Sequence, residues 1–429
     1  MMFNVENVST VKNTTHKVVL PFYLFAACSF MAATLLLFFS SGSFTGHYFH
    51  PHILSITHMM ALGWGTMIIL GAGHQLVPVL TESRLFSIKL AFFSFLFAAA
   101  GIPLLVYGFY VFDMGWLARS GGWFIVLAIL CFVVNLAGTV TKSKTNNVHA
   151  VFVFTASLWL LLTAALGLAL IYNFTVPLFS TGSLALLPLH AHMGIVGWFL
   201  LLVIGVGSRL IPMFLISKYS NVGMLWLIYL LINGGLLLFL LLFLYLPEAG
   251  FYFVPLSALL AALVLFGYYC HQCYGQRIRK KVDEQMRISL FSVIVMLLPM
   301  LILIVIVSLL MMNISNNRYV LVYGFIVFFG WITGIILGMT FKTLPFIVWN
   351  KVYHIQAANG KTPNPADLFS HTVFKAMSVA YLAGILVFSS GILLKQAVLI
   401  KSGSACLIVT AFLYNWNTIK LIRHKKITT

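Results

Sequence analysis

Apolar residues run in long unbroken stretches along nearly the whole chain, and only short polar interruptions separate them. A hydrocarbon core of about 30 Å is crossed by about 20 helical residues. Twelve runs reach that length, centred near Phe30, Met67, Phe95, Ala128, Leu160, Leu201, Ile232, Leu260, Met296, Gly334, Ala383 and Ala411. The runs are continuous rather than alternating, which predicts helices and not the strands of a barrel, the other architecture that satisfies backbone groups in lipid. The longest interruptions are a basic stretch at 272–287 and a Gly/Pro/Asn-rich loop at 350–369. Neither has room for a soluble domain, so residues 1–429 are expected to form a single polytopic membrane domain. The first run is too long for a cleaved signal core and lacks a small-residue cleavage site, so it is expected to be retained.

Three of the runs repeat one another. They read HMMALGWGTMIILGAGHQLVP from His58, HMGIVGWFLLLVIGVGSRLIP from His192 and FIVFFGWITGIILGMTFKTLP from Phe325. Gly63, Trp64, Gly71 and Pro78 are matched by Gly197, Trp198, Gly205 and Pro212, and by Gly330, Trp331, Gly338 and Pro345. The tryptophans lie 134 and 133 residues apart, four helices each time. A fixed long period is the mark of a repeated structural unit. The expected fold is therefore all-α: twelve transmembrane helices in three four-helix repeats, roughly 18–145, 146–286 and 287–418, around a pseudo-threefold axis. The shared glycines read as helix–helix contacts and the prolines as helix terminators.

Composition agrees with this pattern, since 62% of the residues are hydrophobic and 7% charged, more apolar surface than a soluble core absorbs. The net charge of +18 would suit a nucleic-acid binder if it were clustered. Its distribution fits topology instead: with a cytoplasmic N-terminus, 21 of the 25 Lys and Arg fall on the cytoplasmic side and four, Arg119, Arg318, Lys395 and Lys401, on the other. That asymmetry predicts two cytoplasmic termini and attraction to the lipid bilayer, with no role for nucleic acid.

The chemistry sits where the three copies differ. Six residues before the tryptophan they carry His58, His192 and Phe325; eight before it, Ile56, His190 and Tyr323. A polar group left unpaired in hydrocarbon costs about 2–7 kcal/mol, so an intramembrane imidazole needs a hydrogen bond or a metal. Neutral imidazole is an axial ligand of haem iron. The repeat places His58 and His192 at one depth on two equivalent helices, where they would address opposite faces of one macrocycle. His190 is rotated by about 200° from His192 and would serve a second haem or metal. His47, His50 and His52, in GHYFHPH before the second helix, are candidates for a copper or zinc ion, or tolerated in a wet loop.

The H…G-x-G-x-x-L-V-P of the second helix, ending at Leu76-Val77-Pro78, and the H-x-H-M-x-x-x-G that opens the sixth resemble subunit I of the haem-copper oxidases, with nitric oxide reductases and the cbb3 type nearest. NnrS-type haem membrane proteins are similar too. The resemblance implies a b-type haem between His58 and His192, a second haem on His190, and oxidoreductase chemistry in a bacterial inner membrane with an electron-donor protein or a diatomic gas such as nitric oxide as partner. It is not complete: the family carries H-x-H on its tenth helix, and it needs further histidines for copper or non-haem iron that the seventh run here lacks. All seven acids, Glu6, Glu82, Asp113, Glu248, Asp283, Glu284 and Asp367, fall in expected loops or helix ends, which argues against a proton pump.

Two other readings stay open: a copper- or zinc-handling or small-molecule transporter without haem, and a structural subunit without cofactor. The C-x-x-C of Cys270 and Cys273 reads as a reduced pair in a reducing compartment. His16, His74, His149, His271, His354, His371 and His424 are expected near the cytoplasmic side, in contact with solvent or headgroups.

Overall fold

The computed structural model describes residues 16–142, 147–278, 280–314, 317–353 and 362–425. Glu6 and His354 lie outside the described residues. Among the described residues twelve helices are long and apolar enough to cross a membrane: α1 His16–Phe39, α2 Pro51–Leu80, α3 Ile88–Tyr110, α4 Trp116–Val140, α5 Val148–Tyr172, α6 Leu187–Leu215, α7 Val222–Tyr245, α8 Ala249–Gly275, α9 Glu284–Met311, α10 Asn317–Tyr353, α11 His371–Leu394 and α12 Ala397–Ile422. No strand occurs among them, and one isolated antiparallel bridge joins Ser217 to Arg277. The last helix packs on the first, where Asn415 Nδ2 donates to the Ala27 carbonyl at 2.8 Å, so the set of helices closes on itself.

The three helices that carry the repeated motif, α2, α6 and α10, are the most deeply enclosed of the twelve. Each rests on the helix that precedes it in the chain. A Cβ on Gly71 would sit 2.6 Å from Cβ of Phe22 on α1, and one on Gly338 would sit 2.7 Å from the Gln285 carbonyl on α9. Gly205 meets Phe152 of α5 in the same way. Glycine is needed at these crossings because any side chain would push the two helices apart.

Each inner helix also widens into a π-helical segment at one register: Met59–Thr66 in α2, Met193–Leu200 in α6 and Ile326–Ile332 in α10. Each segment begins directly after His58, His192 or Phe325 and contains the Gly-Trp pair. The wider turn leaves a backbone carbonyl in need of another donor; in α10 the Thr333 hydroxyl donates to the Phe328 carbonyl at 2.7 Å.

The tryptophans tie the inner helices together. Trp198 Nε1 of α6 donates to Thr66 Oγ1 of α2 at 3.1 Å, and Trp64 Nε1 of α2 donates to Thr333 Oγ1 of α10 at 3.1 Å. Thr66 and Thr333 each lie two residues after the tryptophan of their own helix, and the third such position, in α6, is Leu200. Leucine cannot accept, and Trp331 Nε1 of α10 is buried without a hydrogen-bond partner. Two of the three links in this ring are therefore made and one is missing.

The six described acids sit in loops or at helix ends. Asp283 caps α9 and pairs with Lys342 of α10, and Glu284 reaches Lys375 at 3.0 Å. Cys270 and Cys273 are buried on α8 as free thiols. His74 corrects the sequence reading: it is fully buried, between Phe22 of α1 and Phe132 of α4, with Nδ1 on the Leu70 carbonyl at 2.7 Å. His149 is likewise drawn inward, to the Ser208 hydroxyl at 2.9 Å.

Replacing Thr66 or Thr333 by Val leaves a buried indole N–H unsatisfied at a cost of about 1–3 kcal/mol. Thermal unfolding in detergent should therefore fall for both variants, more for Thr333→Val, which also frees the Phe328 carbonyl; unchanged melting in both would show that the ring carries no load.

Candidate functional site: an apolar cavity with two imidazole pairs

The inner helices do not fill the space between them. A cavity of about 610 Å³ lies among α2, α6 and α10, within the range of about 300–1,000 Å³ found for small-molecule sites. Its wall is mostly apolar, with Leu, Ile, Phe and Val the majority of the lining, and no Asp, Glu, Lys or Arg lines it among the described residues. His58, His190 and His192 all do, together with Tyr323.

His58 ends the α-helical part of α2, and its Nδ1 lies 2.8 Å from the Leu54 carbonyl one turn back. A carbonyl only accepts, so Nδ1 carries the proton and Nε2 of the neutral ring keeps its lone pair for the cavity. His192 repeats the arrangement on α6, with Nδ1 2.7 Å from the Pro188 carbonyl. Outer hydrogen bonds of this kind orient imidazoles that ligate metals.

The structure brings together a different pair from the one expected. His58 faces His190, with ring centroids 6.2 Å apart and planes inclined by 18°, while His192 faces away toward α10. Tyr323 Oη lies 3.4 Å from His192 Nε2, the two rings 5.9 Å apart and 27° from parallel. The rotation of about 200° between alternate helical residues does separate His190 from His192, as the sequence implied. It sends His190, not His192, to His58.

The separation of the His58 and His190 rings is that of two imidazoles sharing one ion. Metal–imidazole bonds of about 2 Å place two collinear imidazole centres roughly 6 Å apart across one ion. His190 Nδ1 is buried without a well-formed hydrogen bond, although the Thr163 backbone lies close, so His190 retains unused donor or acceptor capacity. Gly167 of α5 makes room for the ring: a Cβ there would sit 2.8 Å from His190 Cε1. Phe109 packs on His58 with ring centroids 4.7 Å apart. Sequence reasoning gave no role to Gly167, Thr163 or Phe109; the signal for the first two was their spacing of four on α5, one face of a helix. Tyr323 was visible as the repeat counterpart of His190 but carried no assigned role.

The three outer histidines have other work. His47 Nδ1 accepts from Phe49 N at 3.0 Å, and His50 Nδ1 caps α2 by accepting from His52 N at 3.2 Å. His52 stacks on Tyr110, centroids 4.3 Å apart and 6° from parallel. His50 and His52 stand 5.0 Å apart ring to ring. Among the described residues no group of three or more His, Cys, Asp or Glu converges as a metal site.

No family model and no curated protein matches the chain.

The fixed carbonyl partners generate a prediction. Nitrogen-15 spectra of histidine-labelled protein should show His58 and His192 as neutral rings protonated at Nδ1, the resonances assigned by His58→Ala and His192→Ala. Protonation at Nε2 in either would contradict the geometry.

Proposed function

We propose that the chain is a haem-binding multi-pass membrane protein of the bacterial inner membrane, serving electron transfer or nitric oxide or dioxygen-related redox function without proton pumping. The observation that carries this reading is the His58–His190 pair: two imidazoles 6.2 Å apart, nearly parallel, inside an apolar cavity. A bound b-type haem would supply a one-electron iron couple. His58 and His190 would ligate its iron, and its carboxylates would need cations from outside the lining, which holds no Lys or Arg among the described residues. Leu54 would keep the His58 ring in the ligating tautomer, Gly167 would leave His190 its space, and the apolar wall would exclude water from both.

The scaffold in this reading is three four-helix units around a pseudo-threefold axis, with both termini cytoplasmic. Support comes from the equal register of the three π-helical segments and of the three glycine crossings. Two matching Trp-to-Thr hydrogen bonds run in one cyclic sense from helix to helix. The excess of cations on one side supports the orientation.

Membranes from cells expressing the chain should give sharp haem bands in reduced-minus-oxidised absorption. His58→Ala and His190→Ala should each abolish the low-spin signal, and His192→Ala should leave it in place. Purified protein without a chromophore would overturn the reading. Loss in His192→Ala with retention in His190→Ala would restore the pairing first expected from sequence.

A further inference from the structure

The cavity extends along two seams between inner helices, and the part at each seam, its lobe, brings its own polar pair. The α2/α6 lobe holds His58 and His190 and is walled by α3, α4 and α5. The α6/α10 lobe holds His192 and Tyr323 and is walled by α7, α8 and α9. The third seam, between α10 and α2, is closed: Phe325 stacks on Phe388 of α11 at 4.2 Å, and Phe44 packs on Phe388 from the other side at 5.2 Å. None of α1, α11 or α12 lines the cavity among the described residues.

We infer that the α6/α10 lobe is a separate binding site for an uncharged, membrane-soluble molecule with a hydroxyl or phenol head and a long apolar tail. The head would sit at His192 and Tyr323. With Nδ1 held by Pro188, His192 Nε2 is an acceptor, and its contact with the Tyr323 hydroxyl is long at 3.4 Å. A ligand hydroxyl donating to Nε2 while accepting from Tyr323 would replace that weak contact with two ordinary hydrogen bonds. Charged heads are disfavoured because no cation or anion lines the lobe to offset their desolvation.

The tail has a defined path. Phe239 packs against His192, ring centroids 5.1 Å apart, and Leu256, Leu303, Val307, Leu310 and Ile314 line the same cavity, the last just beyond the end of α9. Those last two residues are 47% and 44% exposed, so the lining reaches the protein surface at the C-terminal end of α9. A membrane-dissolved ligand would enter by this route. The same seam is the one whose Trp331 indole lacks its partner, because α6 carries Leu200 where a threonine would accept.

The site is tested with the full chain in lipid nanodiscs and a long-chain alkylphenol bearing a photoreactive group in its tail. Labelling is expected on α7 and α9. An unlabelled alkylphenol should compete, and an alkane or alkyl sulfate of the same length should not. Tyr323→Phe and His192→Phe should each weaken competition by roughly 2–10-fold, the worth of one neutral hydrogen bond. Equal competition by all three compounds, or competition unaltered in both variants, would mean annular lipid only and overturn the proposal. The compound series on the unaltered chain decides the question even if a variant does not fold. Haem absorption is read separately and depends on His58, so failure of either proposal is visible without the other.

Discussion

An imidazole in hydrocarbon must satisfy one nitrogen as a donor and the other as an acceptor, and no water is at hand to do either. His58 and His192 meet the first demand with the carbonyl one turn behind them on their own helix. The second nitrogen is thereby turned outward, into the space among the inner helices. The cavity's chemistry follows from that local choice. Each histidine sits where its helix passes from α to π geometry, a change of pitch often associated with functional sites.

What the two rings then meet is set by the residues that differ between the three copies of the Gly-Trp motif. His58 finds His190, His192 finds Tyr323, and at the third seam Phe325 finds only other aromatic rings. The tryptophan ring is uneven as well: two seams are bridged by an indole N–H on a threonine hydroxyl, and the α6/α10 seam is not. One framework thus presents a bis-imidazole seam, an imidazole–phenol seam and a closed aromatic seam. Distinct chemistry is obtained at matching positions of one sequence motif.

Much of the fold was legible because bilayer thickness imposes span length. The runs centred near Met67, Leu201 and Gly334 became the three inner helices, and the Gly-Trp motif marked them in advance. The divergence of His190 from His192 also followed from helical rotation alone. Which of the two meets His58 did not, since that depends on how the helices are arranged relative to one another, and periodicity within a helix carries no such information. His74 was misplaced for a related reason. Its position near a helix end suggested headgroups, but Phe22 and Phe132 arrive from two other helices and cover it. Gly167 was indistinguishable from any other small residue in an apolar run until His190 was seen against it. The π-helical segments had no compositional sign at all beyond the motif they contain.

The most direct test of the central claim is electron–nuclear double resonance on the oxidised protein, with histidine nitrogen-15 labelled and Gly167→Val as the companion sample. Two equivalent histidine nitrogens coupled to one low-spin ferric iron are expected, with one coupling perturbed when the added side chain crowds His190. A single histidine coupling, or no iron signal from protein purified with its full haem complement, would contradict the account.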